Sequence, residues 1–208
     1  MKLLLISILI FVNSALADGG LKFVRGKVIR DNKLMKTGDR VQFGDKISVA
    51  AKSLAVVELD DGSKIKINEL SQVIIKKNVW PEAEVTLGSV FFNIVKRKTK
   101  DNGVKFKVKA RQVSLGVRGT EFYVSLGKMN DDVWMCVNEG LVEAATEKKT
   151  VLVKQGEGIH VKKDLVSDPK PLAWTKKLNW NMNENSGDLE NNVSIEEAYT
   201  DVLGRDYD

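Results

Sequence analysis

The sequence predicts an all-β protein. Short twisted strands should form a sandwich or a compact β-helix-like stack, trailed by an extended C-terminal tail carrying one short helix. Three observations predict this. Apolar and polar residues alternate over short β-rich runs. Glycines punctuate those runs at the dense spacing of tight turns, and no 3.6-residue apolar stripe appears between Leu21 and Lys163. The 208 residues are 43% hydrophobic and 29% charged, the balance of one or at most two globular domains and too apolar for a disordered chain. One cysteine excludes an internal disulfide framework, and one histidine leaves little for metal or acid–base chemistry. Neither a cofactor nor a catalytic set is expected.

Residues 1–17 read as a signal peptide. Lys2 supplies the positive start, Leu3 to Val12 form the apolar run, and Ala15-Leu16-Ala17 is a small-residue cleavage signature before Asp18. A membrane span needs about 20 apolar residues, so cleavage after Ala17 is expected rather than anchoring. Charges interrupt every later apolar stretch. The product should therefore be periplasmic or otherwise exported, and not an integral membrane protein.

Residues 18–165 carry the strand signals. Ala55-Val56-Val57-Glu58-Leu59 runs through Asp60-Asp61-Gly62-Ser63 into Lys64-Ile65-Lys66-Ile67, a strand, an Asp-Gly turn and a strand. Ile65 and Ile67 should face one way, Lys64 and Lys66 the other. Val104 to Ala110 repeats the alternation, with even positions apolar and odd ones basic. Further runs follow at Val73–Ile75, Ser89–Val95, Glu121–Val124, Val133–Val137 and Thr150–Val153.

These residues resemble the FecR domain. The blocks are Gly38-Asp39-Arg40-Val41, Leu59 to Ser71, Leu87-Gly88-Ser89-Val90-Phe91-Phe92, Phe106-Lys107-Val108, Val117 to Val124, Val137 to Val142 and Gln155-Gly156-Glu157. In order and spacing the resemblance runs from about Val24 to Val161. The resemblance implies an all-β periplasmic domain, best known as the sensory part of a transmembrane regulator that relays receptor occupancy to an extracytoplasmic sigma factor. Those regulators place a sigma-binding segment and a membrane helix ahead of the domain. Here the domain follows the leader, so a stand-alone exported FecR-domain protein is expected.

Individual motifs have plain structural readings beside functional ones. Leu115 to Thr120 could offer amides to an anion beside Arg118, or form a tight turn; without the lysine and helix of a phosphate loop, the turn is favoured. Asp60-Asp61 and Asp131-Asp132 read as turn formers, Cys136 as a buried strand thiol, and His160 as solitary. Lys96, Arg97, Lys98, Lys100, Lys105, Lys107, Lys109 and Arg111 place eight cations in sixteen residues. They are candidates for an anionic envelope polymer such as cell wall or lipopolysaccharide, or a solvated strand face that discourages edge pairing. No aromatic platform interleaves them for nucleic acid, which is not an expected partner.

Residues 166–208 form an acidic tail, starting at Pro169 and Pro171. Residues 164–208 carry 4 basic against 10 acidic side chains, whereas 18–163 carry 28 against 18. Asn179 to Asn192 reads as a flexible tether. Beyond it a capping box, Ser194 to Glu197, opens a helix near 194–203 with Ile195, Tyr199, Val202 and Leu203 on one face. That face should dock on the β domain or on another protein. Trp174 and Trp180 are further candidate contacts. The function expected is non-enzymatic: a protein-interaction, scaffold or signalling module of the cell envelope with an unidentified envelope protein as partner. The alternative is the polymer binder.

Overall fold

A computed structural model of the chain describes residues 18–78, 80–96, 106–127 and 132–191. The fold is all-β, in two sheets. The signal peptide and the helix near 194–203 lie outside the described residues, as do Arg97, Lys98, Lys100, Lys105, Asp131, Ile195, Tyr199, Val202 and Leu203.

The chain shuttles between the sheets. β1 (Gly19–Arg25) belongs to the first sheet, β2 (Val28–Arg30) and β3 (Lys33–Leu34) to the second. β4 (Arg40–Val41) returns to the first sheet and β5 (Lys46–Val49) to the second. β6 (Leu54–Leu59) and β7 (Lys64–Ile67) lie in the first, β8 (Ser71–Lys77) and β9 (Pro81–Leu87) in the second. β10 (Ser89–Ile94) is in the first, β11 (Phe106–Ala110) and β12 (Val113–Val117) in the second, β13 (Thr120–Leu126) and β14 (Val133–Glu139) in the first. β15 (Leu141–Ala145) and β16 (Thr150–Lys154) end the second sheet; β17 (Glu157–Lys162), β18 (Leu165–Val166) and β19 (Lys170–Pro171) end the first.

Strand order therefore advances almost steadily with sequence in both layers: β4-β1-β6-β7-β10-β13-β14-β17-β18 and β3-β2-β5-β8-β9-β11-β12-β15-β16. The architecture is a sandwich that grows along one axis as a solenoid does. All pairings are antiparallel except β9 with β11, where Lys107 pairs with Glu82 and Lys109 with Glu84.

The layers differ in how they alternate. In the second sheet β11, β15 and β16 bury every other residue, so the inner face packs and the outer face meets solvent. In the first sheet β6 buries Leu54, Ala55, Val56 and Val57 in succession, and β14 buries Val133 to Val137. Along these strands both faces of the first sheet are covered. The inner cluster holds Val57, Ile65, Phe92, Phe122, Val108 and Leu115, with Phe92 stacked on Phe122 at 4.9 Å between centroids. The outer cluster holds Leu54, Val56, Phe91, Tyr123, Trp134 and Cys136 beneath Leu172, Leu178, Met182 and Leu189.

The covering segment is the stretch that composition reads as a flexible tether. Instead it is folded, because its asparagines supply the turn hydrogen bonds themselves. The backbone N–H of Asn181, Asn183 and Asn185 donate to Oδ1 of Asn179, Asn181 and Asn183, at 3.0, 3.0 and 3.1 Å.

Candidate functional site

β7 alternates as the sequence predicts, with Ile65 and Ile67 in the core and Lys66 on the opposite face. That face is covered, so Lys66 is fully buried. A buried ammonium needs acceptors, and the strap of residues 172–191 provides them. Lys66 Nζ donates to the main-chain carbonyls of Asn179 at 2.5 Å, Asn181 at 2.8 Å and Leu189 at 3.2 Å. It also sits 4.2 Å from the centroid of the Phe91 ring. Burial lowers its pKa to about 8 against the raising fields of Glu121 and Asp188. Glu121 is pushed up by its own burial, while amide donors from Asn138 and Asn93 oppose that shift.

The strap closes on itself around this cation. Asn179 Nδ2 donates to the carbonyls of Asp188 and Glu190, both at 2.8 Å, and Asn181 Nδ2 to those of Gly187 and Asp188, both at 3.1 Å. Trp180 stands edge-on to Phe91 at 5.1 Å and donates its indole N–H to the Thr175 carbonyl at 2.9 Å. Glu190 pairs with Arg25 at the rim. Under the strap, Cys136 is buried, and desolvation pushes its thiol up to about 12. Gly158 leaves room for Leu172: a Cβ there would stand 2.2 Å from Leu172 Cδ1 and 2.6 Å from the Met135 carbonyl.

Of the contact residues read from the sequence, Trp180 is thus a packing and hydrogen-bonding element of the strap. Trp174 falls in the short turn Ala173–Lys177 of the same strap. Lys107 and Lys109 stand exposed on the outer face of the second sheet, with Lys96 exposed just after β10. The pairing of β9 with β11 sets Glu82 and Glu84 beside Lys107 and Lys109, so the described part of that face is mixed in charge.

Asp60 and Asp61 form the β6–β7 hairpin tip, where Asp61 Oδ1 accepts from the Ser63 N–H at 2.9 Å. Two residues differ from their sequence reading. Asp132 is buried rather than a surface turn former, and His160 is not solitary. Its Nε2 lies 3.0 Å from Asp132 Oδ2, and its ring stacks on Trp134 at 5.2 Å. Among the described residues no cluster of three or more metal-ligating side chains forms.

Residues 45–143 match the family model described as FecR protein. Over those residues the chain is similar to the FecR domain. The match runs from the residue before β5 into β15, a narrower span than the sequence blocks covered. Two crystal structures from Parabacteroides distasonis, each described as a candidate anti-sigma factor, are similar to this chain. One is at 1.65 Å, with a TM-score of 0.52 and 24% identity. The other is at 2.50 Å, with a TM-score of 0.52 and 23% identity. Each alignment covers 61% of this chain and 59% of the other, so the chain matches less than two thirds of those relatives. The likeness is one of fold. No curated protein matches the chain. The strap lies beyond the FecR match and was missed by sequence reasoning. Its legible signal was the unbroken apolar runs of β6 and β14, which require cover on both faces.

Proposed function

We propose that this protein is a non-enzymatic FecR-domain module of the cell envelope that signals or scaffolds through protein contacts, exported and cleaved after Ala17. The observation that carries this reading is the FecR match itself, set in a two-sheet sandwich. The fold relatives described as candidate anti-sigma factors support a signalling role. Among the described residues, no helix is long and apolar enough to cross a membrane.

Contact surfaces exist at the sheet ends. Leu34 in β3 and Leu152 in β16 are 73% and 53% exposed at the two edges of the second sheet. Edge strands accept an added strand from a partner. A photo-crosslinking residue placed at Leu152 or Leu34 in the full chain, expressed in its own cells, tests the reading. A discrete protein adduct is expected. Adducts only with polysaccharide or lipid would replace it by the polymer-binding reading, which rests on Lys96, Lys107 and Lys109 and predicts binding that fades as salt rises. Fractionation with N-terminal sequencing tests export; a chain retained uncleaved in the cytoplasm contradicts it.

A further inference from the structure

The strap is fastened differently from the strands among the described residues. β19 pairs with β17, and the Leu172 N–H donates to the Gly156 carbonyl. From Ala173 to Glu190, among the described residues, no main-chain to main-chain hydrogen bond joins it to a sheet. Its polar order is internal, stitched by Asn179, Asn181 and Asn183. It is held down by apolar side chains, the Arg25–Glu190 pair and the three carbonyls on Lys66. Such a segment can leave as a unit, because opening breaks no ladder beyond the single Leu172–Gly156 bond and returns a buried ammonium to water.

The face beneath has its own selectivity. All three acceptors on Lys66 are main-chain carbonyls, two from the near neighbours Asn179 and Asn181 and one from Leu189 where the chain folds back, so the contact reads a looped backbone path and no particular side chain. Around it lie Val56, Phe91, Tyr123 and Trp134, which take apolar side chains, and Arg25, which takes a carboxylate.

We propose that residues 172–191 are a releasable cover that opens while the sandwich stays folded, and that the face it uncovers docks an acidic, apolar-bearing looped peptide whose carbonyls replace those of Asn179, Asn181 and Leu189 on Lys66. Opening stands on the strap geometry alone. The docking half rests on the protein-contact reading above, and the two halves fail separately.

Cys136, the single cysteine of the chain, lies beneath the strap and reports on it. In the full-length protein under native conditions, maleimide should modify Cys136 faster than the sandwich unfolds. Asn179→Ala with Asn181→Ala unstitches the strap without touching either sheet; it should speed modification at least tenfold while the urea midpoint of the sandwich stays near the parent's. Modification of both proteins only at their global unfolding rates overturns the cover. A synthetic peptide of residues 172–191, added to the double variant, should then protect Cys136 saturably, and adding Lys66→Met should abolish the protection. Absent protection, or protection indifferent to Lys66→Met, overturns the docking surface and leaves the cover standing.

Discussion

Lys66 shows how one residue can be read correctly in direction and wrongly in environment. Alternation in β7 places it opposite Ile65 and Ile67, but only the strap determines that this side is dry. Its pKa of about 8, lowered from 10.5 by burial, has a definite signature in stability. Below pH 8 the folded and unfolded chains both hold the proton and the cost of burial is present in full. Between pH 8 and 10.5 the folded chain releases it first, so stability rises with pH, by on the order of 3 kcal/mol across the window. Urea titrations at about pH 7.5 and about pH 9.5 should show the parent gaining on Lys66→Met; parallel shifts in the two proteins would contradict the assignment. Gly158 makes a steric counterpart. Gly158→Ala drives a methyl into Leu172 and the Met135 carbonyl. A loss of about 1–3 kcal/mol is expected by denaturant titration, together with faster modification of Cys136.

Elements were more legible than residues because burial imposes its period on them directly. The Asp-Gly hairpin of β6 and β7 and the alternation of β11 follow from local pattern alone. The strap did not, since asparagine at every second position from 179 to 185 looks compositionally loose while the side chains of Asn179, Asn181 and Asn183 in fact close turns. The basic strand was read in isolation, and only its parallel pairing with β9 revealed Glu82 and Glu84 beside the lysines. The coupling of neighbouring strands within the first sheet can be measured. Phe92→Ala removes half of the stacked pair linking β10 to β13 and should cost about 3–5 kcal/mol. Gly88 turns the chain from β9 into β10 at φ +72°, with the Leu70 carbonyl 2.6 Å from any added Cβ. Gly88→Ala should therefore lower the thermal midpoint, and an unchanged midpoint would mean the crossover can relax.

For the whole molecule, the sheets and the strap should separate in hydrogen exchange. Amides of residues 173–191 should exchange through a smaller opening than those of β10 and β13, with a weaker dependence on denaturant. A single shared opening would show that strap and sandwich are one cooperative unit. Fold class was readable because it depends on period and turn chemistry, whereas strand order depends on which hairpin meets which, and one sequence does not state that.

The steady advance of strand order has one more consequence. Because each new hairpin is laid beside those already placed, with no later strand inserted deep into an earlier sheet, the fold has no topological keystone. It can be lengthened or shortened at either rim by whole hairpins without rethreading what lies between. The segment that matches the family, from before β5 into β15, is the interior of such a stack, flanked by β1–β4 on one side and β16–β19 on the other. The rims are therefore where such a stack can be tailored to a different neighbour while its middle stays the same.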